Sequence, residues 1–207
     1  MNDKIVQYCS RRAIDMIEKF EIGDTFSYVS TPSWPGGASG ITIGVGYDLG
    51  YASAAQIEQD WHFLAQKCVS RLQSYSGRTG ILAKSLLYSA KDINIVLLDA
   101  QRVFETRDIP RATSFVNTIF QNTESMSSDS FGALTSLIFN RGAGMSDTKP
   151  GNRLEMRQIR DAMIRADFDK IPGFIRSMKR LWQDSGLDGL LARRDAEADL
   201  FEAGLHK

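Results

Sequence analysis

The feature that most constrains the fold is a long interruption of helical periodicity between residues 22 and 50. Before it, small or apolar side chains recur at helical spacing through residues 4–21, at Val6, Ser10, Ala13, Ile14, Ile17 and Phe20. The interruption is rich in Gly, Pro, Ser and Thr and ends in the glycine-containing apolar phrase ITIGVGYDLG, which is typical of loops and short strands. The pattern predicts an α+β fold that is mainly α-helical, with a small N-terminal β-hairpin.

Helical periodicity returns after residue 51 and continues to the end of the sequence. We expect Ser53 to cap a helix through QIEQDWHFLAQKCVSRL and Asp92 to cap one through INIVLLDAQRVFE. A single domain, residues 1–207, is predicted, with residues 1–21 as the first helix, about 22–51 as a hairpin lobe and 52–207 as a larger helical lobe. Further helices are predicted over residues 110–121, 129–140, 152–166, 168–182 and 188–203.

Composition excludes several classes of partner. The chain carries 25 basic and 25 acidic residues, so it lacks the basic excess that nucleic-acid binding or a charged membrane surface requires. No stretch approaches the ~20 apolar residues of a membrane span, and residues 1–21 contain no apolar run of signal-peptide type. We therefore expect a monomer that is synthesised in the cytoplasm without a signal peptide and does not insert into membranes.

Glu21 is the carboxylate with the most unusual predicted surroundings. On a helical wheel it falls between Ile14 and Ile17, inside the apolar arc, whereas Glu18 lies at the edge of that arc. A poorly solvated carboxyl group tends to keep its proton near neutral pH, and glycosidic cleavage needs such an acid to protonate the leaving oxygen. The alternative is that the helix frays before residue 21 and the carboxylate points into solvent.

Four segments, in order, resemble the phage-type lysozymes (muramidases and endolysins). The phrase MIEKFEIG is similar to the family's first-helix end, where a Glu stands in a phrase like FEG, and SGITIGVGYDLG is similar to its hairpin strand TIGxGH. GALTSLIFNRGAG resembles the long central helix, and GLDGLLARRDAEADLF resembles the C-terminal GLxxRRxxExxLF. Residues 52–125 match none of the family's phrases.

The resemblance implies a lysozyme-like fold, with a hairpin lobe and a helical lobe flanking a cleft. It also implies hydrolysis of the β-1,4 bond between N-acetylmuramic acid and N-acetylglucosamine in the glycan strands of peptidoglycan, without a cofactor. Glu21 falls on the family's general acid. Thr42 falls on the Thr that places the attacking water or the sugar, and Asn140 falls on an Asn that binds sugar.

The sequence departs from the family in the hairpin. The family carries an Asp some six residues before the Thr, where this chain has WPGGAS, and Tyr47 replaces the family's His. Asp48 is the first candidate for the second catalytic carboxylate, because nearby glycines would let the backbone approach a ligand. The alternative, to which the sequence gives equal weight, is that Asp48 is a turn residue that bonds its own backbone. Asp24 is a further candidate for lining the cleft, although its place after Gly23 favours a turn.

Aromatic residues around the hairpin are suited to stacking on sugar rings. Tyr28 and Tyr47 are predicted to bind substrate, whereas Trp34 is predicted to pin its own loop to the core. Arg141 is expected to cap a helix end. Arg193 and Arg194 are expected to form surface or inter-helix ion pairs with acidic neighbours. No metal site is expected, because His62 has no ligand partner at suitable spacing.

The resemblance leaves the biological setting open between a phage endolysin and an antibacterial effector with an immunity protein as its partner. In either case the protein would act in the periplasm or cell wall after delivery by a holin or a secretion system. The alternative function is a lysozyme fold that binds peptidoglycan without cutting it, which the missing hairpin Asp permits.

Overall fold

A computed structural model of the chain describes residues 9–23 and 27–206. These residues pack as two compact units. The hairpin unit comprises Glu21–Asp108, and the helical unit comprises the described residues up to Phe20 together with those from Ile109 onward. The hairpin lobe predicted over residues 22–51 is thus part of a larger unit that also holds several helices. The assignment of residues 1–207 to one domain stays a prediction.

Helix α1 (Arg11–Ile22) begins in the helical unit and ends in the hairpin unit. Ser10 caps it, because its hydroxyl accepts a hydrogen bond from the backbone N–H of Ala13 at 3.2 Å. Ala13 packs tightly on Gly132, where a Cβ would lie 2.2 Å from the Ala13 Cβ. The predicted helix over 4–21 is wrong at residues 9 and 10, which are not helical, and its residues 4–8 lie outside the described residues.

The hairpin unit is built from short elements around a two-stranded antiparallel sheet. A 3-10 turn covers Ser89–Asp92, and a π-helical turn covers Phe104–Asp108. The strands and helices of this unit are β1 (Thr42–Ile43), β2 (Tyr47–Asp48), α2 (Ala54–Trp61), α3 (Gln66–Gln73), α4 (Gly80–Leu86) and α5 (Leu97–Val103). Trp61 lies in the core of the unit with no exposed surface.

The helical unit is centred on α7, in which all residues from Asp129 to Ile138 are buried. Helix α10 packs along α7, which explains why a segment as rich in small residues as FGALTS can be covered on every side. The helices of this unit beyond α1 are α6 (Ile109–Ile119), α7 (Ser128–Arg141), α8 (Leu154–Arg165), α9 (Ile171–Ser177) and α10 (Asp188–Leu205), with 3-10 turns at Thr123–Ser125, Phe168–Lys170 and Met178–Leu181.

A cluster of buried charges joins α7 to α10. Glu197 is completely buried, and its Oε1 accepts hydrogen bonds from the Ser136 hydroxyl at 2.6 Å, from Arg194 at 2.8 Å and from Arg193 at 3.2 Å. Burial raises the pKa of Glu197, and the two guanidinium groups and Ser136 act in the opposite direction. The expected ion pairs of Arg193 and Arg194 are present with Glu197, but they lie within α10 rather than between helices, and in the core rather than on the surface.

The predicted fold class is confirmed at the level of an α+β chain that is mainly helical with one small antiparallel sheet. Ser53 caps α2 as predicted, with its side chain accepting from the N–H of Gln56. The predicted cap at Asp92 is wrong: α5 begins five residues later, and Asp92 instead closes a 3-10 turn and pairs with Arg71. Within the described ranges, no helix is both long and apolar enough to cross a membrane.

Candidate functional site

Glu21 lies in the last turn of α1, where the chain enters the hairpin unit, and its side chain is half-buried. The helical wheel predicts that Glu21 is more buried than Glu18. In the structure Glu18 is the more buried of the two, with 7% of its surface exposed. The reason is position along the helix, because Glu18 lies one turn further from the helix end. Glu21 therefore combines partial burial with access from outside.

The turn between β1 and β2 approaches the Glu21 carboxylate. Ile43 pairs with Tyr47, so residues 44–46 form a tight three-residue turn. Gly46 has φ +75°, a backbone conformation that suits glycine, and a Cβ built there would lie 3.9 Å from Glu21 Oε2. The glycines of the TIGVG phrase thus let the turn adopt this shape and bring backbone close to the carboxylate.

Glu21, Thr42 and Tyr28 line one pocket of about 220 Å³. The other described residues that line it are Ile22, Ser27, Val29, Thr31, Ser33, Ile43 and Gly44. Among these described residues, Glu21 is the carboxylate and the other polar groups are hydroxyls. The structure therefore brings together three of the predicted site residues from separate parts of the sequence.

Tyr28 is held in this pocket by its own hydroxyl, which donates a hydrogen bond to the carbonyl oxygen of Ile95 at 2.7 Å. Burial raises the pKa of Tyr28 to about 12, and the charge of Asp99 adds to the effect. The hydroxyl is therefore protonated at physiological pH. The half-buried ring remains available as a wall of the pocket.

Asp48 lies opposite Thr42 in the sheet, but its carboxylate is engaged by backbone. The N–H of Gly40 donates to both oxygens, at 3.1 and 2.9 Å, and the N–H of Gly50 donates to Oδ1 at 2.8 Å. Gly40 must be glycine here, because a Cβ would lie 2.2 Å from Asp48 Oδ1. This is the turn-bonding role that the sequence left open, and Asp48 does not line the Glu21 pocket among the described residues.

Tyr47 does not fit the predicted stacking role. Its side chain is buried, its hydroxyl donates to Asp60 Oδ2 at 2.9 Å, and its ring meets Trp61 edge to face at 5.5 Å. A ring enclosed in this way cannot also cover a sugar. Trp34 is half-buried, and its Nε1 donates to the carbonyl oxygen of Ser39 at 3.0 Å, a bond within its own loop.

Asn140 belongs to the helical unit, where it is exposed near the end of α7. Its Oδ1 accepts a hydrogen bond from Arg194 at 3.2 Å. Arg141 donates to the carbonyl oxygen of Asn152 and lies over the ring of Trp182, and burial lowers its pKa to about 10. The predicted contact of Asn140 with sugar stays a prediction.

Two further expectations concern metals and Asp24. Asp24 lies outside the described residues. Within the described part of the chain, no group of three or more His, Cys, Asp or Glu side chains is arranged to hold a metal ion.

Thr31 and Ser33, which were not predicted as site residues, also line the pocket on either side of the buried Pro32. The sequence feature that could have indicated them is the alternation of polar and apolar residues in the segment TPS, which has the period of a strand. It was masked by Pro32 and by the length of chain between this segment and β1.

Residues 17–135 match a domain of unknown function, DUF8812, and the chain therefore belongs to that family. The matched segment contains the end of α1, the whole hairpin unit and all the residues of the Glu21 pocket, whereas Asn140 lies beyond it. No curated protein matches the chain.

Proposed function

We propose that this protein is a lysozyme-like glycosidase that hydrolyses the β-1,4 bond between N-acetylmuramic acid and N-acetylglucosamine in peptidoglycan. The observation that carries the proposal is the shared pocket of Glu21, Thr42 and Tyr28. The resemblance to phage-type lysozymes assigned roles to Glu21 and Thr42, and Tyr28 was predicted to stack on a sugar ring. The convergence of the three residues in space supports these assignments. The finer description of the fold as lysozyme-like is part of the same proposal.

In this mechanism Glu21 donates its proton to the oxygen that leaves from C1 of the sugar. The bond between C1 and that oxygen breaks as positive charge develops on the ring. The half-buried position of Glu21 suits this role, because the side chain is anchored at the end of α1 and still reaches the pocket. Water then adds at C1, and the hydroxyl of Thr42, which lines the same pocket, is suited to hold it.

Sugar binding is the second task of the pocket. Its mixture of hydroxyl groups with the Tyr28 ring and aliphatic side chains is the kind of lining that carbohydrates need, since sugars present both hydroxyls and apolar ring faces. Tyr28 is fixed by its bond to Ile95, so its ring can contact a sugar at little cost in side-chain entropy.

The test is digestion of purified peptidoglycan followed by mass spectrometry of the released fragments. We expect the wild-type chain to release fragments with reducing N-acetylmuramic acid ends, and Glu21→Gln to lose activity by about 10²-fold or more because it cannot donate the proton. Glu58→Gln, a change of the same type at an exposed helix position, is the matched control and should leave activity unchanged. Amidase products, or normal turnover by Glu21→Gln, would contradict the proposal.

One observation favours a second candidate, a protein that binds peptidoglycan without cutting it. Asp48 is occupied by backbone N–H groups, so among the described lining residues the pocket holds one carboxylate, where lysozyme-type catalysis commonly uses two. Such a binder would sediment with peptidoglycan and release no fragments. The digestion experiment separates the two candidates when sedimentation is measured on the same samples.

The proposed substrate lies outside the inner membrane, so the protein must be delivered to it. We propose delivery by a holin or a secretion system, with an immunity protein as partner if the protein is an antibacterial effector. A fusion to a periplasmic signal peptide should lyse bacteria, while the same chain expressed without the fusion should not. The Glu21→Gln fusion should also be harmless. Lysis by the Glu21→Gln fusion would mean that killing does not depend on the proposed acid.

A further inference from the structure

Ser33 and Thr42 form a directly opposed pair across two antiparallel segments of the hairpin unit. The Ser33 N–H donates to the Thr42 carbonyl oxygen at 2.9 Å, and the Thr42 N–H donates to the Ser33 carbonyl oxygen at 2.8 Å. Residues that exchange both backbone bonds carry their side chains on the same face, with Cβ atoms about 4.5–5.5 Å apart. Both side chains line the Glu21 pocket.

The spacing of this pair suits one small molecule held between two hydroxyls. A water that bonds to both oxygens at about 2.8 Å can span groups roughly 5 Å apart. Within residues 9–23 and 27–206, neither the Ser33 nor the Thr42 hydroxyl is engaged by another protein group. Each can therefore both donate and accept a hydrogen bond.

We propose that Ser33 is a positioning residue that acts with Thr42 to hold the attacking water, and so takes the place of a second carboxylate in the pocket. This inference rests on the proposed function. It explains how a pocket with one carboxylate among its described lining residues can hydrolyse a glycosidic bond: the water is placed by two hydroxyls instead of being deprotonated by a base.

The proposed hydrolysis needs no second carboxylate. Glu21 gives its proton to the leaving oxygen, and the bond between C1 and that oxygen breaks with its electron pair going to the oxygen. The water held by Ser33 and Thr42 forms a bond to C1 through an oxygen lone pair and becomes acidic as it does so. Its extra proton passes to solvent, and solvent returns a proton to Glu21, so that one water is consumed for each bond cut.

If the attacking water is no longer held in place, we expect a specific change in the product. Without a held water, the 6-hydroxyl of the same N-acetylmuramic acid competes for C1 and gives a 1,6-anhydro end, which is lighter than the hydrolysed end by one water. The ratio of anhydro to reducing ends therefore reports on the position of the water. A change that only loosens the fold would not move this ratio.

The experiment uses the whole chain on purified peptidoglycan and measures kcat, KM, the end-group ratio and the melting temperature. We expect Ser33→Ala and Thr42→Val each to lower kcat by about 10- to 100-fold with KM nearly unchanged, and to raise the anhydro fraction. The loss in the double variant should be smaller than the product of the single losses, because both residues hold one water. Ser33→Thr keeps the hydroxyl and should keep kcat.

Ser85→Ala is the matched control, because Ser85 is an exposed serine of the same unit that lies outside the lining of the pocket. It should leave kcat and the end-group ratio unchanged. A folded Ser33→Ala variant with normal kcat and normal ends would overturn the inference, and so would an equal effect of Ser85→Ala. If the wild-type chain releases no fragments at all, the proposed function itself fails, which is a different outcome from activity that is indifferent to Ser33.

Discussion

A carboxylate in each of the two units of the molecule is bonded in a different way. In the helical unit, charged side chains are buried against each other, as Arg193, Arg194 and Glu197 are between α7 and α10. In the hairpin unit, backbone N–H groups converge on one half-buried carboxylate, Asp48. Glu197 is thus bonded by other side chains, whereas Asp48 is bonded by the backbone and shapes the loop around it.

This difference explains why the candidate site lies in the hairpin unit. Because Asp48 and the glycines determine the path of the chain, the hydroxyls of Thr31, Ser33 and Thr42 are not needed to hold the loops and can face a ligand. In the helical unit a hydroxyl such as that of Ser136 is already committed to the core. Functional groups are commonly found on loops that a rigid scaffold positions. Here the bonds from Asp48 to the backbone of Gly40 and Gly50 fix the loop.

The largest effect is expected from removing the buried anion of the helical unit. Glu197→Ala leaves two buried guanidinium groups without their carboxylate and should lower the free energy of unfolding by about 3–5 kcal/mol. Chemical denaturation followed by circular dichroism measures this loss. Glu197→Gln keeps an oxygen that can accept the hydrogen bonds from Ser136 and the two arginines, so it should cost less. Equal losses in the two variants would show that the charge itself is essential.

The corresponding change in the hairpin unit is Asp48→Asn. An amide presents one accepting oxygen, so part of the bonding to Gly40 and Gly50 is lost, and stability should fall by about 1–3 kcal/mol. Activity per folded molecule should remain. Asp92→Asn, at an exposed ion pair of the same unit, should change stability little. Lost activity at unchanged stability would instead assign Asp48 the role of catalytic base.

A smaller effect on stability, coupled to activity, is expected at the turn that approaches Glu21. Gly46→Ala introduces a side chain at φ +75° and should cost about 1–2 kcal/mol. It also places a methyl group beside the Glu21 carboxylate, so activity should fall as well. Gly77→Ala provides the control, because Gly77 has φ +72° but open space around it. Gly77→Ala should lose similar stability and keep its activity. If both variants lost the same activity, the loss would come from backbone strain and not from the methyl group beside Glu21.

The smallest expected effect is a difference between the two units in the rate at which their cysteines react with a thiol reagent. Cys68 is exposed in the hairpin unit, whereas Cys9 is buried in the helical unit, where burial raises its pKa to about 12. At pH 8 a thiol reagent should modify Cys68 quickly and Cys9 only as fast as the helical unit opens. Glu197→Ala should therefore speed the labelling of Cys9 and leave Cys68 unchanged. Rapid labelling of Cys9 in the wild-type chain would contradict this prediction.

Sequence reasoning was most successful where many residues share one pattern. The helix Ser128–Arg141, the cap at Ser53 and the two strands of TIGVGYD were all predicted close to their observed positions. The meeting of Glu21 with Thr42 was also expected, but only through the resemblance to lysozymes. The wheel alone could not place the end of α1 against a hairpin turn.

Individual side chains were harder to predict, because their surroundings come from distant parts of the chain. Tyr47 and Ile43 are both buried in strands of two residues, which are too short for alternation to show which face meets the core. Asp48 could not be assigned without knowing that Gly40 and Gly50 converge on it. Ser33 became visible as a site residue only through its pairing with Thr42, nine positions along the chain.

The division of the chain also determines the order in which the protein can fold during synthesis. The hairpin unit is complete once Asp108 has left the ribosome, because its residues are continuous in sequence. Helix α1 must wait much longer, since Ala13 packs on Gly132 and Ser10 bonds to Ser128. For much of translation, the apolar side of α1 has no native partner, and this segment is therefore where a nascent chain of this protein would most need protection by a chaperone.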